Sequence, residues 1–296
     1  MLILDEAQVR CHLAYEALIP ALEQALIRFS SAEMTNPLRS LLAIPEHQGR
    51  FGLMPAVDGD LIGVKLVTVF EANSTLPTHQ AVIQLFSAST GEPLAILDGR
   101  LITEMRTAAV TAIAARLFTP DKPLTLAILG SGVQARSHLT VLRHVRELRE
   151  VRVWSRTPEK AAAFAAATGA IALPLEDTIR GADMVIGVAN VSQPLILGEY
   201  LAETRFVAAV AAVGPSRREL DDDAMQSIVI VESREAALRE SGDIIASRAP
   251  IYAELGEILA GKIAPPPSGF RVVYKGLGIA AEDLAAARLV YEAESR

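Results

Sequence analysis

The sequence contains few of the residues that mark metal-binding or disulfide-stabilised proteins. A single cysteine, Cys11, among 296 residues excludes an intrachain disulfide and a cysteine-rich zinc site. This is consistent with a reducing compartment, and we expect the protein to be cytoplasmic. The five histidines are scattered without metal-ligand spacing, so no metal site is predicted. Aromatic residues make up only 5% of the chain, whereas 51% is hydrophobic, which favours alternating helices and parallel strands.

The chain also lacks the charge and the long apolar segments that other classes of protein require. Its formal net charge of −7 would repel phosphate backbones, so no nucleic-acid partner is expected. The longest apolar run, near residues 206–213, is too short to span a bilayer, and no membrane association is predicted. The N-terminal MLILDEAQVRCHL has no basic leader and no small-residue cleavage site, so we expect no signal peptide.

Up to residue 118 the pattern changes from helix to strand and back to helix. Apolar residues recur at helical spacing within the first thirty residues. From about residue 40 to 98, short segments rich in β-formers are separated by turn signals: LRSLLAI, RFGLMPAV, LIGVKLVTVF and QAVIQLFSA. They predict an antiparallel or mixed sheet. A helix is predicted from about residue 102 to 118, and proline at 120 and 123 ends it.

Beyond residue 119 the pattern alternates between strand and helix. Five short apolar runs predict buried parallel strands: LTLAILG, VRVWS, DMVIGVA, RFVAAVAAV and IVIVES. An alanine-rich segment at about 280–291 predicts a helix that folds back onto the first domain. We therefore predict a substrate-binding domain at residues 1–118 and a Rossmann dinucleotide domain at residues 119–275.

A glycine-rich turn follows the first of these strands. Gly130, Gly132 and Ala135 form a G-x-G-x-x-A pattern that leads into a helix, which is the context that dinucleotide binding requires. Gly130 would form the tight turn, Gly132 would let the pyrophosphate approach the backbone, and Ala135 would allow close packing. The helix N-terminus would offer N–H groups to the phosphates. The alternative is an ordinary strand-to-helix turn.

The end of the second strand indicates which nucleotide is bound. NAD sites place a carboxylate there for the ribose hydroxyls, but this chain has Ser155, Arg156 and Thr157, followed by Lys160. Hydroxyl and guanidinium groups would bind a 2′-phosphate, so we predict NADPH rather than NADH. The alternative is that Arg156 is a solvated surface residue and that Thr157 caps the next helix.

Three cations lie in apolar surroundings of the first domain: Arg39, Lys65 and Arg106. A buried cation needs a partner, and an anionic ligand could provide it. Two arginines suit a carboxylate, and a desolvated lysine with a lowered pKa suits proton transfer. For each of the three, an ordinary salt bridge is an equally good explanation, and Asp98 and Glu104 are candidate partners for Arg106.

Several segments, in order along nearly the whole chain, resemble the ornithine cyclodeaminase/μ-crystallin family. They are GVKLV, LDGRLITEMRTAAVTAIAA, LGSGVQAR, WSRTPEKA, AVGPSRRELDDD, SGD and YKGLGIAAEDLAAA. The resemblance implies an α/β fold in which a Rossmann-type dinucleotide domain is inserted into an α+β substrate-binding and dimerisation domain. The latter is residues 1–118, completed by 276–296, and the active site of a homodimer would lie in the cleft between the domains.

The resemblance also implies roles for individual residues. Arg39 and Arg106 match positions that hold the substrate carboxylate, and Lys65 matches the residue near the reacting centre, so Lys65 and Arg106 are the predicted catalytic residues. The positions that match the family's cofactor site are Gly130, Gly132, Val133, Gln134, Ser155, Arg156, Thr157, Ala189, Asn190, Val213, Gly276 and Leu277. Segment 155–157 matches the one that reads a 2′-phosphate in μ-crystallin members.

One departure favours a particular reaction within the family. In cyclodeaminases an aspartate follows the strand at about 206–213, whereas this chain has Pro215 and Ser216 and no acid until Glu219. With the missing carboxylate at the second strand, this resembles the ketimine reductase branch. We therefore expect NADPH-dependent reduction of Δ1-pyrroline-2-carboxylate or Δ1-piperideine-2-carboxylate to proline or pipecolate. The alternatives are an ornithine cyclodeaminase, an alanine dehydrogenase-type enzyme, or a non-catalytic NADPH-dependent binder of small molecules.

Overall fold

The computed structural model describes residues 1–295 and divides into two compact units. The first unit combines residues 1–109 with the chain from Gly278 onward, and the second unit is residues 110–277. The functional labels of substrate and cofactor domain stay a prediction. No helix within the described residues is long and apolar enough to cross a membrane.

The elements alternate in type along the chain. In order they are β1 (Leu2–Leu4), α1 (Glu6–His12), α2 (Tyr15–Ser30), β2 (Ser40–Ile44), β3 (Gly49–Asp58), β4 (Leu61–Phe70), β5 (His79–Ser87), β6 (Pro93–Asp98), α3 (Gly99–Phe118), β7 (Leu124–Leu129), α4 (Val133–Val145), β8 (Leu148–Trp154), α5 (Pro158–Thr168), β9 (Ile171–Ala172), α6 (Leu175–Ile179), β10 (Met184–Gly187), β11 (Phe206–Ala209), β12 (Ile228–Val231), α7 (Arg234–Glu240), α8 (Gly242–Ser247), β13 (Ile251–Glu254), α9 (Leu255–Leu259), β14 (Val272–Lys275) and α10 (Ala280–Glu294). Two 3-10 helices lie at Pro45–His47 and Gly198–Tyr200.

A six-stranded sheet forms the first unit, in the order β1-β6-β5-β4-β3-β2. All neighbours are antiparallel except β1 and β6. Side chains alternate across β4, so Leu61 and Lys65 are buried on one face while Val64 and Leu66 stay partly exposed on the other. The buried face packs against α1 and α10, and α10 also packs against α2.

Helix α10 can lie close to this sheet because it is rich in alanine. Residues Ala280–Ala287 are all buried, although Glu282 and Asp283 are among them. At Gly63 of β4, an added Cβ would lie 2.7 Å from Leu284 of α10, so glycine permits the contact. A helix that is apolar nearly all round is buried on several sides, as this one is. The two acids in its first turn therefore need partners inside the unit.

The second unit is built on an eight-stranded, fully parallel sheet of the Rossmann type. Its order is β13-β12-β14-β11-β10-β7-β8-β9. The chain runs outward from β7 through β8 to β9, then returns to β10 on the other side of β7. The topological switch point is therefore between β7 and β10, where doubly wound sheets bind their ligands at the carboxyl ends of the strands. The predicted α/β fold class is confirmed.

Candidate functional site

The predicted cofactor residues all lie at one edge of the second unit. They follow the carboxyl ends of β14, β11, β10, β7 and β8, which are consecutive neighbours in the sheet. In that strand order the residues are Gly276 and Leu277; Val213; Ala189 and Asn190; Gly130, Gly132, Val133 and Gln134; and Ser155, Arg156, Thr157 and Lys160. Parallel strands bring their carboxyl ends to a common edge, so residues scattered over about half the chain become neighbours here.

The glycine turn after β7 has the shape that a pyrophosphate requires. Gly130 has φ +131°, and an added Cβ would lie 3.0 Å from Val188 and 3.2 Å from the backbone nitrogen of Ala189. A Cβ on Gly132 would meet nothing within 4 Å, so this position has open space in front of it. No side chain caps the first turn of α4, which begins at Val133. Its leading N–H groups are oriented for an anion, and the residues present fit a dinucleotide.

The three residues between β8 and α5, which are Ser155, Arg156 and Thr157, are polar, and none of them carries a carboxylate. Ser155 is half-buried and its Oγ lies 3.1 Å from Oγ of Ser131, on the glycine turn. Arg156, Thr157 and Lys160 are exposed. Thr157 precedes α5, but its side chain makes no capping hydrogen bond. Thr157 is therefore the N-cap residue of α5 by its position, without a capping hydrogen bond from its side chain, and Pro158 follows at the start of the helix. A role for this segment in binding a 2′-phosphate stays a prediction.

Lys65 and Arg106 of the first unit meet at the start of α10. The Nζ of Lys65 lies 2.7 Å from Oδ2 of Asp283, and Nε of Arg106 donates to Oδ1 of the same carboxylate at 3.0 Å. Nη1 of Arg106 donates to Oε2 of Glu282 at 2.5 Å. We call these four residues the ion cluster. Each is at most 5% exposed, so their pairing takes place in a low-dielectric interior.

Arg39 reaches the same region through the turn that precedes α10. Its Nη2 donates to the carbonyl oxygen of Gly278 at 2.6 Å. Gly278 has φ +74°, and an added Cβ would overlap Nη1 of Arg106. Glycine is therefore needed here both for the left-handed backbone conformation and for the close approach of Arg106. The structure therefore brings all three predicted cations together around one turn, with Arg39 half-buried and the other two buried.

Burial lowers the pKa of Lys65 to about 8. The charge of Asp283 opposes this effect, whereas Arg106 and Arg39 reinforce it. An ammonium group with this pKa is still mostly protonated at neutral pH but releases its proton far more readily than an exposed lysine. Lys65 is therefore suited to act as a general acid near pH 7.

Two carboxylates that contact Arg106 were not proposed from the sequence, namely those of Glu282 and Asp283. Asp98 accepts hydrogen bonds from the backbone nitrogens of Arg100 and Leu101 at the start of α3. Sequence reasoning missed both α10 acids as site residues. Their signal was present: two adjacent acids stand alone in an otherwise apolar stretch of helix.

A second buried ion group, also missed from the sequence, lies at the cofactor edge of the second unit. Nζ of Lys275, the last residue of β14, lies 2.8 Å from Oε2 of Glu219 and 3.0 Å from Oδ2 of Asp243, and it donates to the carbonyl of Ala212. Glu219 accepts from the backbone nitrogens of Ala211 and Ala212. Burial alone would lower the pKa of Lys275, but the two carboxylates reverse this and raise it.

Another buried carboxylate of the second unit, that of Glu232, fixes the turn after β14. Glu232 accepts hydrogen bonds from the hydroxyl of Tyr274 at 2.6 Å and from the backbone nitrogen of Leu277 at 2.7 Å. Two of the predicted cofactor segments, after β11 and after β14, are thus fixed by buried side chains rather than by surface loops alone. Within residues 1–295, no group of three or more His, Cys, Asp or Glu is arranged to hold a metal ion.

Comparison with known proteins gives the family that the sequence segments resemble, and it does so over the whole chain. The ornithine cyclodeaminase/mu-crystallin family model matches residues 1–296. Ketimine reductase mu-crystallin of Mus musculus is 41% identical over 304 residues, covering 99% of this chain and 97% of that protein.

Solved structures are similar over nearly the same length. Δ1-Pyrroline-2-carboxylate reductase from Thermococcus litoralis, in complex with NADH and L-proline, has a TM-score of 0.92 at 29% identity and covers 99% of this chain and 97% of its own. An archaeal alanine dehydrogenase dimer with bound NAD has a TM-score of 0.92 at 27% identity and covers 99% of this chain and 95% of its own. The chain therefore belongs to the ornithine cyclodeaminase/μ-crystallin family.

Proposed function

We propose that this protein is an oxidoreductase that uses NADPH to reduce a cyclic ketimine amino acid, Δ1-pyrroline-2-carboxylate or Δ1-piperideine-2-carboxylate, to proline or pipecolate. The observation that carries the proposal is the convergence of Arg39, Lys65 and Arg106 around one turn of the first unit. It is supported by relatives over the whole chain that are named ketimine reductase and Δ1-pyrroline-2-carboxylate reductase, the latter with NADH and L-proline bound.

The three cations divide the work on an imino acid. Arg39 and Arg106 hold the substrate carboxylate, because guanidinium groups match its geometry. Lys65 gives a proton to the imine nitrogen, which makes the neighbouring carbon electrophilic. A bound nicotinamide supplies the hydride that this carbon accepts. Lys65 then regains its proton from solvent, so one hydride and one proton account for the conversion of C=N to CH–NH.

The loop after β11 favours imine reduction over cyclodeamination. Its first acid, Glu219, is buried and bonded to Lys275 and to backbone N–H groups. A carboxylate held in this way is not placed to assist attack by an amine. Pro215 and Ser216, where cyclodeaminases have their aspartate, are exposed and not acidic.

The test is NADPH oxidation by the purified protein with a panel of cyclic imino acids and open-chain 2-oxo acids, each with and without ammonia. Turnover of cyclic imines without ammonia is expected. A dehydrogenase of the alanine type would need ammonia, and a cyclodeaminase would release ammonia from ornithine without net consumption of NADPH. A protein that binds NADPH but oxidises it with none of these compounds would be a binder, and the proposal would be abandoned.

Selection of NADPH over NADH is proposed to depend on Arg156. Replacing it with alanine removes a guanidinium from the 2′-phosphate, so the KM for NADPH should rise about ten-fold or more while that for NADH changes little. The hydroxyls of Ser155 and Thr157 remain, so some preference for NADPH is retained. The measurement is kcat/KM for both nucleotides with one imino acid.

Arg143→Ala is a matched control for this substitution, because Arg143 is exposed at the opposite end of α4 from the glycine turn. This variant should treat both nucleotides as the unsubstituted protein does. A kcat/KM for NADH equal to or above that for NADPH in the unsubstituted enzyme would refute the assignment of NADPH.

A homodimer is proposed to form through the outer face of the six-stranded sheet. Residues that alternate with the buried ones form an apolar surface on this face: Ile3, Leu42, Phe51, Leu53, Ile62, Val64, Leu66, Val82, Phe86 and Ile96. Val82 is 44% exposed and pairs with Leu66 near the centre. An apolar surface of this extent is typical of an oligomer interface, and the related archaeal alanine dehydrogenase is a dimer.

Val82→Asp should abolish this dimer. The aspartate would be solvated in a single chain but desolvated and facing apolar side chains in the dimer. Light scattering after size-exclusion chromatography should give the chain mass of 31.6 kDa rather than twice that value. Leu238→Asp is the control, because Leu238 is 60% exposed on α7 of the second unit and should leave the dimer intact. A Val82→Asp protein that remains dimeric would exclude this face.

A further inference from the structure

Asp283 is shared between the two predicted catalytic cations. One oxygen contacts the Lys65 ammonium at 2.7 Å and the other accepts from Nε of Arg106 at 3.0 Å. Glu282, its neighbour in the chain, contacts Arg106 through Nη1. Both acids of the first turn of α10 therefore contact Arg106, and Asp283 also contacts Lys65, although both acids are buried and both precede the same alanine-rich segment.

We propose that Asp283 is a positioning residue that keeps Lys65 protonated at neutral pH and orients its ammonium, whereas Glu282 acts through Arg106. The inference rests on the proposed function, because it assigns Asp283 a role through the proton donor of imine reduction.

The surroundings of Lys65 explain why a carboxylate is needed. Its partners across the sheet, Met54 on β3 and Ile83 on β5, are buried and apolar, and they supply no charge. Arg106 from α3 and Arg39 from the segment before β2 are both positive. Burial and like charges all disfavour the ammonium form, and Asp283 from α10 is the charge that opposes them. Without it, Lys65 would lose its proton at a lower pH.

Asp283→Asn tests this, because it keeps the shape and removes the charge. The alkaline limb of the pH profile of kcat/KM should move down by about one pH unit or more, since the stabilising partner is lost. Activity near pH 8 should fall about five-fold or more relative to the unsubstituted enzyme, and much of it should return near pH 6. A purely structural defect would lower kcat/KM by the same factor at every pH.

Glu282→Gln is the matched control, an amide substitution at the adjacent buried acid. It should raise the KM for the imino acid through Arg106 and leave the alkaline limb in place. All variants are assayed with one imino acid, so titration of the substrate cancels in the comparison. An unmoved limb in Asp283→Asn, or an equal shift in Glu282→Gln, would overturn the inference.

Two further comparisons allow a negative result to be interpreted. If Asp283→Asn does not fold, Asp283→Glu carries the test: its charge is retained, so kcat should fall while the limb stays within about half a pH unit. A limb that moves by about a full unit with the charge retained would count against the proposal. If the unsubstituted protein reduces no cyclic imine, the proposed function itself has failed. If the enzyme is active but the alkaline limb of its pH profile is the same with and without Asp283, only the role of Asp283 has failed.

Discussion

Replacing Lys65 with methionine is expected to lower kcat for imine reduction by about 10² or more, because the general acid is lost. Methionine fills a similar volume in the buried strand position, so the sheet should be preserved. The unsubstituted enzyme should lose activity as pH rises above about 8, because the protonated ammonium is the donor and its pKa is about 8. The Lys65→Met enzyme should no longer show this alkaline limb.

The measurement is single-turnover hydride transfer across pH 6 to 10, with Lys122→Met as the control. The side chain of Lys122 is 55% exposed in the second unit, and its loss should change kcat less than two-fold. Nucleotide affinity should be unchanged in both variants, which separates a lost proton donor from a misfolded chain. Turnover by Lys65→Met at the unsubstituted rate would remove Lys65 from the chemistry.

Strands with a strong sequence signature were predicted nearly to the residue. The run LIGVKLVTVF predicted β4, which spans Leu61–Phe70, and LTLAILG predicted β7, which spans Leu124–Leu129. Both runs are long enough and apolar enough that their sequence alone identifies them as strands. The predicted helix at 102–118 is α3, which begins three residues earlier, at Gly99.

Short strands were missed for a physical reason. β1 has three residues and lies in a region predicted to be helical, directly before Asp5, whose capping box begins α1. β9 has two residues, β13 has four, and β14 has four and ends in a lysine. Segments this short have little intrinsic preference, and their pairing in the sheet decides their conformation. The six residues of β6 were not singled out from the surrounding β-rich region.

The site residues, like the strands, fall into two groups: those that the local sequence indicates and those whose role depends on tertiary packing. Lysine within an apolar strand and arginine within an apolar helix are anomalous locally, so Lys65 and Arg106 could be predicted. Their partner Asp283 is 177 residues from Arg106 along the chain. No local pattern specifies that pairing, because it depends on where α10 packs against the sheet. Acids in the first turn of a helix interact favourably with the helix dipole, and this alone would explain Glu282 and Asp283 from the sequence. Their role in the ion cluster is therefore not apparent from the local sequence.

Lys275→Met should destabilise the second unit by about 3–5 kcal/mol, because it leaves two buried carboxylates without their cation. Glu219 and Asp243 both contact Lys275, and each of the three residues is at most 2% exposed. For a unit of this size the thermal midpoint should fall by roughly 10 °C. Lys262→Met, at an exposed lysine of the same unit, is the control and should change the midpoint little.

The pH dependence of this effect has a definite sign. Burial and the charge of Asp243 raise the pKa of Glu219, and loss of the opposing Lys275 charge should raise it further in the folded variant. The folded variant then binds a proton at Glu219 more tightly than the unfolded chain does, so it should be most stable at acidic pH. Its stability should fall as pH rises from the unfolded-state pKa through the folded-state pKa. Urea unfolding at several pH values should therefore show the variant approaching the unsubstituted protein at acidic pH.

A second substitution, Glu219→Gln, tests the coupling directly, because its effect on stability should change sign between the two backgrounds. In the unsubstituted protein, Glu219→Gln removes the partner that Lys275 contacts at 2.8 Å and should destabilise. In the Lys275→Met background the same change removes an unpaired buried charge and should stabilise, which is non-additivity between contacting residues. Because Glu219 also accepts from the backbone nitrogens of Ala211 and Ala212, the segment leading to Val213 should loosen in Lys275→Met, and nucleotide affinity should fall with stability. If Glu219→Gln destabilises equally in both backgrounds, Lys275 and Glu219 are not coupled, and the edge of the sheet is held by its backbone alone.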